Sequence, residues 1–131
     1  LLGPTVGGKG KIEARNKTFK AGQILENAGI TFGLITDAPF VPIEGQLLQA
    51  ALYVKNGLSR EMALKCLTIN TAIITDIDSR VGSLEPGKDA DVVIWDVEPL
   101  ATLSQVGIVI IDGQIAYRRK AGESNVDYQK L

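Results

Sequence analysis

Few residues in this sequence can carry chemistry, because it contains no histidine and a single cysteine, Cys66. Without histidine the chain alone cannot assemble a Ser-His-Asp or Cys-His nucleophile or a histidine-rich metal site. Asp37 is the leading candidate that remains. It closes the apolar run 30–36 and is followed by Ala38 and Pro39. An aspartate at the C-terminal end of a buried strand sits where barrel and open α/β enzymes keep their catalytic groups, although position alone supports a turn-capping aspartate more strongly. Cys66 falls on the apolar side of its predicted helix and reads as a small core residue, since a reactive thiolate needs a positive partner. Trp95 also reads as core, with an indole N–H that needs one acceptor. Two segments approach the phosphate-binding loop pattern, but residues 3–10 put Gly10, and residues 82–89 put Asp89, where the magnesium-binding hydroxyl belongs. Neither has a strand before it and an apolar helix after it, so nucleotide binding is not expected.

The elements that must position Asp37 come from an ordinary globular composition of 131 residues, 45% hydrophobic and 22% charged, with a formal charge of -1. That balance offers nucleic acid no positive field and excludes a disordered chain. Charge is unevenly spread: Lys9, Lys11, Arg15, Lys17 and Lys20 face only Glu13 within residues 1–22, which predicts a solvated or substrate-facing basic loop. A lone cysteine, no signal peptide and no apolar run of membrane-spanning length predict a cytoplasmic protein with no membrane partner. The opening Leu1-Leu2-Gly3, without methionine, predicts a piece cut from a longer polypeptide.

Hydrophobic spacing predicts a helix over 19–28, with Ile24, Leu25 and Ala28 inward and Gly29 as its stop. A strand over 30–36 follows, apolar enough to be buried on both faces of a parallel sheet. After a proline-containing loop, a second helix over 46–56 is predicted to bury Leu47, Leu48, Ala51, Leu52 and Val54. Ser59 suits the N-cap of a third, with Glu61 in its positive first turn and Ala63, Leu64 and Leu67 inward. A short helix after Asn70 is predicted to turn Ala72, Ile73 and Ile74 inward. From Asp78 the pattern changes to strands: Val81, Leu84, the runs 92–95 and 106–111, and 114–117, with Asp112-Gly113 a two-residue hairpin signal. Two regions result, 1–77 and 78–131, with residues 122–131 a polar extension.

Four segments carry a resemblance: Ala28-Gly29-Ile30 leading to Ile35-Thr36-Asp37-Ala38-Pro39; Gly57-Leu58-Ser59-Arg60-Glu61-Met62-Ala63-Leu64; Leu67-Thr68-Ile69-Asn70-Thr71-Ala72; and Arg80-Val81-Gly82-Ser83-Leu84-Glu85-Pro86-Gly87-Lys88-Asp89-Ala90-Asp91-Val92-Val93-Ile94-Trp95-Asp96. Together they resemble the C-terminal part of a metal-dependent amidohydrolase, of the branch related to imidazolonepropionase. The resemblance implies an α/β fold: the C-terminal fragment of a (β/α)8 metal-dependent hydrolase barrel, followed by strands of a small β-sandwich in which Gly82, Pro86 and Gly87 form turns. It implies that Asp37 ligates or adjoins a divalent metal ion, zinc first, and accepts a proton from the metal-activated water that attacks a small-molecule amide or cyclic amide. Relatives often follow this aspartate with histidine, where this chain has Ala38, and the family's other metal ligands have no counterpart here. The fragment alone is therefore expected to be inactive, to bind no metal tightly, and to self-associate through unpaired strand edges. The rival expectation is a non-catalytic interaction or assembly module derived from the same family.

Overall fold

Glycines and one serine set the limits of the helical part of the chain. In the computed structural model, which describes residues 1–7 and 10–120, α1 (Lys20–Asn27) stops where Gly29 takes φ 67° and its N–H returns to the Glu26 carbonyl at 2.9 Å. Ser59 caps α3 (Arg60–Leu67), its Oγ accepting the Met62 N–H at 3.1 Å. Between them α2 spans Gln46–Lys55, and α4 (Ile69–Ile74) follows α3 directly. The opening stretch is not all loop, since Ile12–Asn16 winds as a 3-10 helix; a second one, Ile43–Gly45, leads into α2. Two compact units result, Leu1–Ser83 and Leu84–Leu131.

The buried faces of the helices match the predicted apolar stripes only in part, at Ala63, Cys66 and Ala72. On α2 the buried residues are Gln49, Ala50 and Tyr53, while Leu48 is 57% exposed. On α3 Ala63 and Cys66 go inward, and on α4 Asn70 and Ala72, with Ile73 and Ile74 on the exposed side. The cause is close approach: the side of α2 that meets α1 and the extended segment has room for small residues and for side chains that bond backbone. Gly22 of α1 illustrates this, because a Cβ there would lie 2.8 Å from Cδ1 of Tyr53. The Tyr53 ring is held edge-on against Phe19, with centroids 5.2 Å apart.

Residues 30–36 are extended, with Phe32, Leu34 and Thr36 buried, but they form no ladder of the predicted kind. Among the described residues their pairing is one isolated parallel bridge, Leu2 to Leu34.

The second unit is a three-stranded antiparallel sheet in the order β1 (Val92–Trp95), β2 (Val106–Ile111), β3 (Gln114–Arg118). Asp112 and Gly113, at φ 50° and 73°, make the predicted two-residue turn between β2 and β3. Val81 and Leu84 lie outside the strands, in turn-rich chain that the glycine at 82 lets fold back, and Trp95 is only half-buried. The Gln105 N–H reaches Oδ1 of Asp96 at 2.8 Å and Arg119 reaches its Oδ2 at 3.2 Å, so the end of the sheet is tied by side chains as well as by backbone. Lys9 and the predicted polar extension 122–131 lie outside the described residues.

Candidate active site

Asp37 stands where the extended segment ends. It is exposed, follows the buried Thr36, and takes φ 56°, a left-handed conformation that aspartate tolerates better than most residues. Its own carbonyl accepts the Phe40 N–H at 2.9 Å, which closes the turn around Pro39. The carboxylate is thus carried on a sharp corner and faces solvent.

The corner is held from behind by side-chain amides. Leu34 donates its N–H to the Cys66 carbonyl at 3.2 Å, and Asn70 Nδ2 donates to Phe32 O at 3.1 Å. Gln46 Nε2 donates to Leu34 O at 2.8 Å and Gln49 Nε2 to Ile35 O at 3.0 Å. Of these, the Asn70 bond to the Phe32 carbonyl is buried, and leaving that carbonyl without a donor would cost about 1–3 kcal/mol. Sequence reasoning passed over Gln46, Gln49 and Asn70, because hydrophobic periodicity scores an amide as a solvent-facing residue. The available signal was their position on apolar helices immediately after an apolar strand whose carbonyls needed partners.

Cys66 is fully buried, and burial pushes its thiol up to about 11. It is an unreactive core residue, as predicted. Residues 82–89 form turns with no helix behind them, and the described part of 3–10 leads into a 3-10 helix, so neither forms a strand–loop–helix phosphate site. Among the described residues no group of three or more histidine, cysteine, aspartate or glutamate side chains could hold a metal ion. Asp37 can therefore accept a proton or offer one ligand position, but it is not a metal site by itself.

The sequence pattern of the Amidohydrolase family matches residues 11–116. The chain belongs to the amidohydrolase family. It is 34% identical over 103 residues to the amidohydrolase tasK of Hapsidospora irregularis, which covers 79% of this chain and 10% of that protein. It is 33% identical over 111 residues to an imidazolonepropionase of Maricaulis maris, covering 81% of this chain and 28% of the relative. An amidohydrolase crystal structure from Thermotoga maritima superposes with a TM-score of 0.87 at 38% identity, over 91% of this chain and 31% of that one. This amidohydrolase chain thus spans less than a third of the length of each of these relatives. The resemblance carried by the four sequence segments holds at the level of the family, with imidazolonepropionases among the relatives.

Proposed function

We propose that this chain supplies Asp37 as the proton-accepting carboxylate of an amidohydrolase that cleaves a C–N bond in a small amide or cyclic amide. The observation that carries the reading is an exposed carboxylate on a left-handed corner, at the end of a buried extended segment, inside a region matching the family. Hydrolysis needs a base to take a proton from the attacking water and an acid to protonate the departing nitrogen. One carboxylate can do both in turn. The imidazolonepropionase relatives favour a cyclic amide as the substrate class.

In this reading residues 1–77 are the end of a (β/α)8 barrel and residues 78–131 belong to a β-sandwich, of which β1–β3 are one sheet. The family implies a divalent ion, zinc first, which when bound would supply a water of lowered pKa. The donor set among the described residues does not fit such an ion and the sequence has no histidine, so in this reading the remaining site groups come from beyond the described residues and the chain alone would not turn over substrate. No helix among the described residues is long and apolar enough to cross a membrane, and the buried, reduced Cys66 suits a cytoplasmic setting. Asp37→Asn in the full-length protein tests the assignment. Turnover is expected to fall by about 10²–10⁴-fold, and unchanged turnover would remove Asp37 from the mechanism; a full-length protein that holds no metal ion and has no turnover would instead favour the non-catalytic module.

A further inference from the structure

Gln49 is fully buried, and both ends of its amide are engaged with backbone from two different segments. The register explains why. Leu2 donates its N–H to the Gly33 carbonyl at 2.7 Å and accepts the Ile35 N–H at 3.0 Å, which is the start of a parallel ladder. The next rung would be an N–H at residue 4 donating to the Ile35 carbonyl. Residue 4 is Pro4, which has no N–H. Gln49 Nε2 takes that place at 3.0 Å, and Gln49 Oε1 accepts the following N–H, that of Thr5, at 2.8 Å. One side-chain amide therefore stands in for a missing peptide rung. Gly3 makes room for it: its φ is 124°, and a Cβ there would lie 2.3 Å from the Ile35 carbonyl oxygen and 3.0 Å from Gln49 Nε2. Tyr53, one turn further along α2, bonds the Thr5 hydroxyl through its own and fixes the same segment at a second point.

The Ile35 carbonyl lies two residues before Asp37, on the last stretch of chain before the corner. We propose that Gln49 is a positioning residue for the reaction: by completing the ladder beneath Asp37 it fixes the direction in which that carboxylate points, and it acts through the Ile35 carbonyl without touching substrate. This inference rests on the assignment of Asp37 as proton acceptor.

The test compares Gln49→Met, Gln49→Asn, Tyr53→Phe and Asp37→Asn in the full-length protein, with kcat and KM measured on the folded fraction below each melting temperature. Gln49→Met keeps the volume and removes both bonds; it is expected to lower kcat on the order of tenfold to a hundredfold with KM changed by less than about twofold. Gln49→Asn retains an amide that is too short to span both partners and is expected to lower kcat in the same sense, so it serves if Gln49→Met does not fold. Tyr53→Phe is expected to lower the melting temperature and leave kcat alone, which separates anchoring of the opening segment from aim of the carboxylate. Wild-type kcat in whichever Gln49 variant folds, a change confined to KM, or failure of both variants to fold would overturn the proposal. If Asp37→Asn retains turnover, the assignment of Asp37 fails and the role of Gln49 fails with it; if Asp37→Asn is inactive while a folded Gln49 variant keeps wild-type kcat, only the role of Gln49 fails.

Discussion

The two compact units hold their extended backbone in different ways. In Leu1–Ser83 an extended segment with a single bridge is completed by side chains, from Gln46, Gln49 and Asn70, and the residues around it are buried. In Leu84–Leu131 the backbone pairs with itself across three strands, yet among that unit's described residues only Leu100 is buried. Val93, Ile94, Ile111 and Ile115 remain about half exposed. A regular ladder is thus not what makes a core here. Backbone order in the extended part of the first unit rests on amides from α2 and α4, whereas the second unit has order in excess of burial.

Equal truncations should separate the units most clearly. Tyr53→Ala removes a fully buried ring and is expected to cost about 3–5 kcal/mol by urea unfolding. Tyr117→Ala, at a ring 45% exposed, is expected to cost about 1 kcal/mol or less. Similar costs at the two sites would break the contrast. Gly113→Val forces a β-branched side chain into a φ of 73° and is expected to cost about 1–3 kcal/mol. Hydrogen exchange should accelerate at β2 and β3 amides and not at those of α3; acceleration in both would mean that the units open together.

The pH response sharpens the same contrast. In the first unit, burial raises the Cys66 thiol from 9.0 to about 11 and also raises the Tyr53 phenol above 10.0. The unfolded chain therefore loses these protons before the folded chain does, and stability falls as pH rises from 9 toward 11. In the second unit, the Gln105 N–H, aided by Arg119, holds the Asp96 carboxyl below its ordinary 3.8. Its contribution is present above that value and is lost as pH falls below it. Residue-resolved spectra are expected to show the first unit loosening in alkali and the second in acid, the acid effect being the smaller because Asp96 faces solvent. The reverse order would contradict the burial of Cys66.

Much of the local structure could be read from residue types. Asp112-Gly113 demanded a two-residue turn, Ser59 a cap, Gly29 a stop and Cys66 a buried thiol, because each depends on chemistry within a few residues. The buried face of α2 could not be read in this way. Gln49 is buried for the sake of Thr5 and Ile35, which are 44 and 14 positions away, and periodicity contains no such distances. The same limit hid the left-handed corner at Asp37, although an aspartate near a proline was the available hint. At α4 the helix was found but Ile73 and Ile74 were expected inward; Asn70 took an inward place because the Phe32 carbonyl needed a donor.

Thr5 lies in neither helix nor strand, the kind of position that proteases ordinarily cut first. Its N–H is nevertheless held by Gln49 and its hydroxyl by Tyr53, both fully buried. Drawing this stretch into a protease means extracting it from side chains that are part of the interior, so nicking at Thr5 would clock the opening of the core. The turn beyond Asp37, with Phe40 65% exposed, carries no such restraint, and two loops of similar appearance should differ widely in how long they survive digestion.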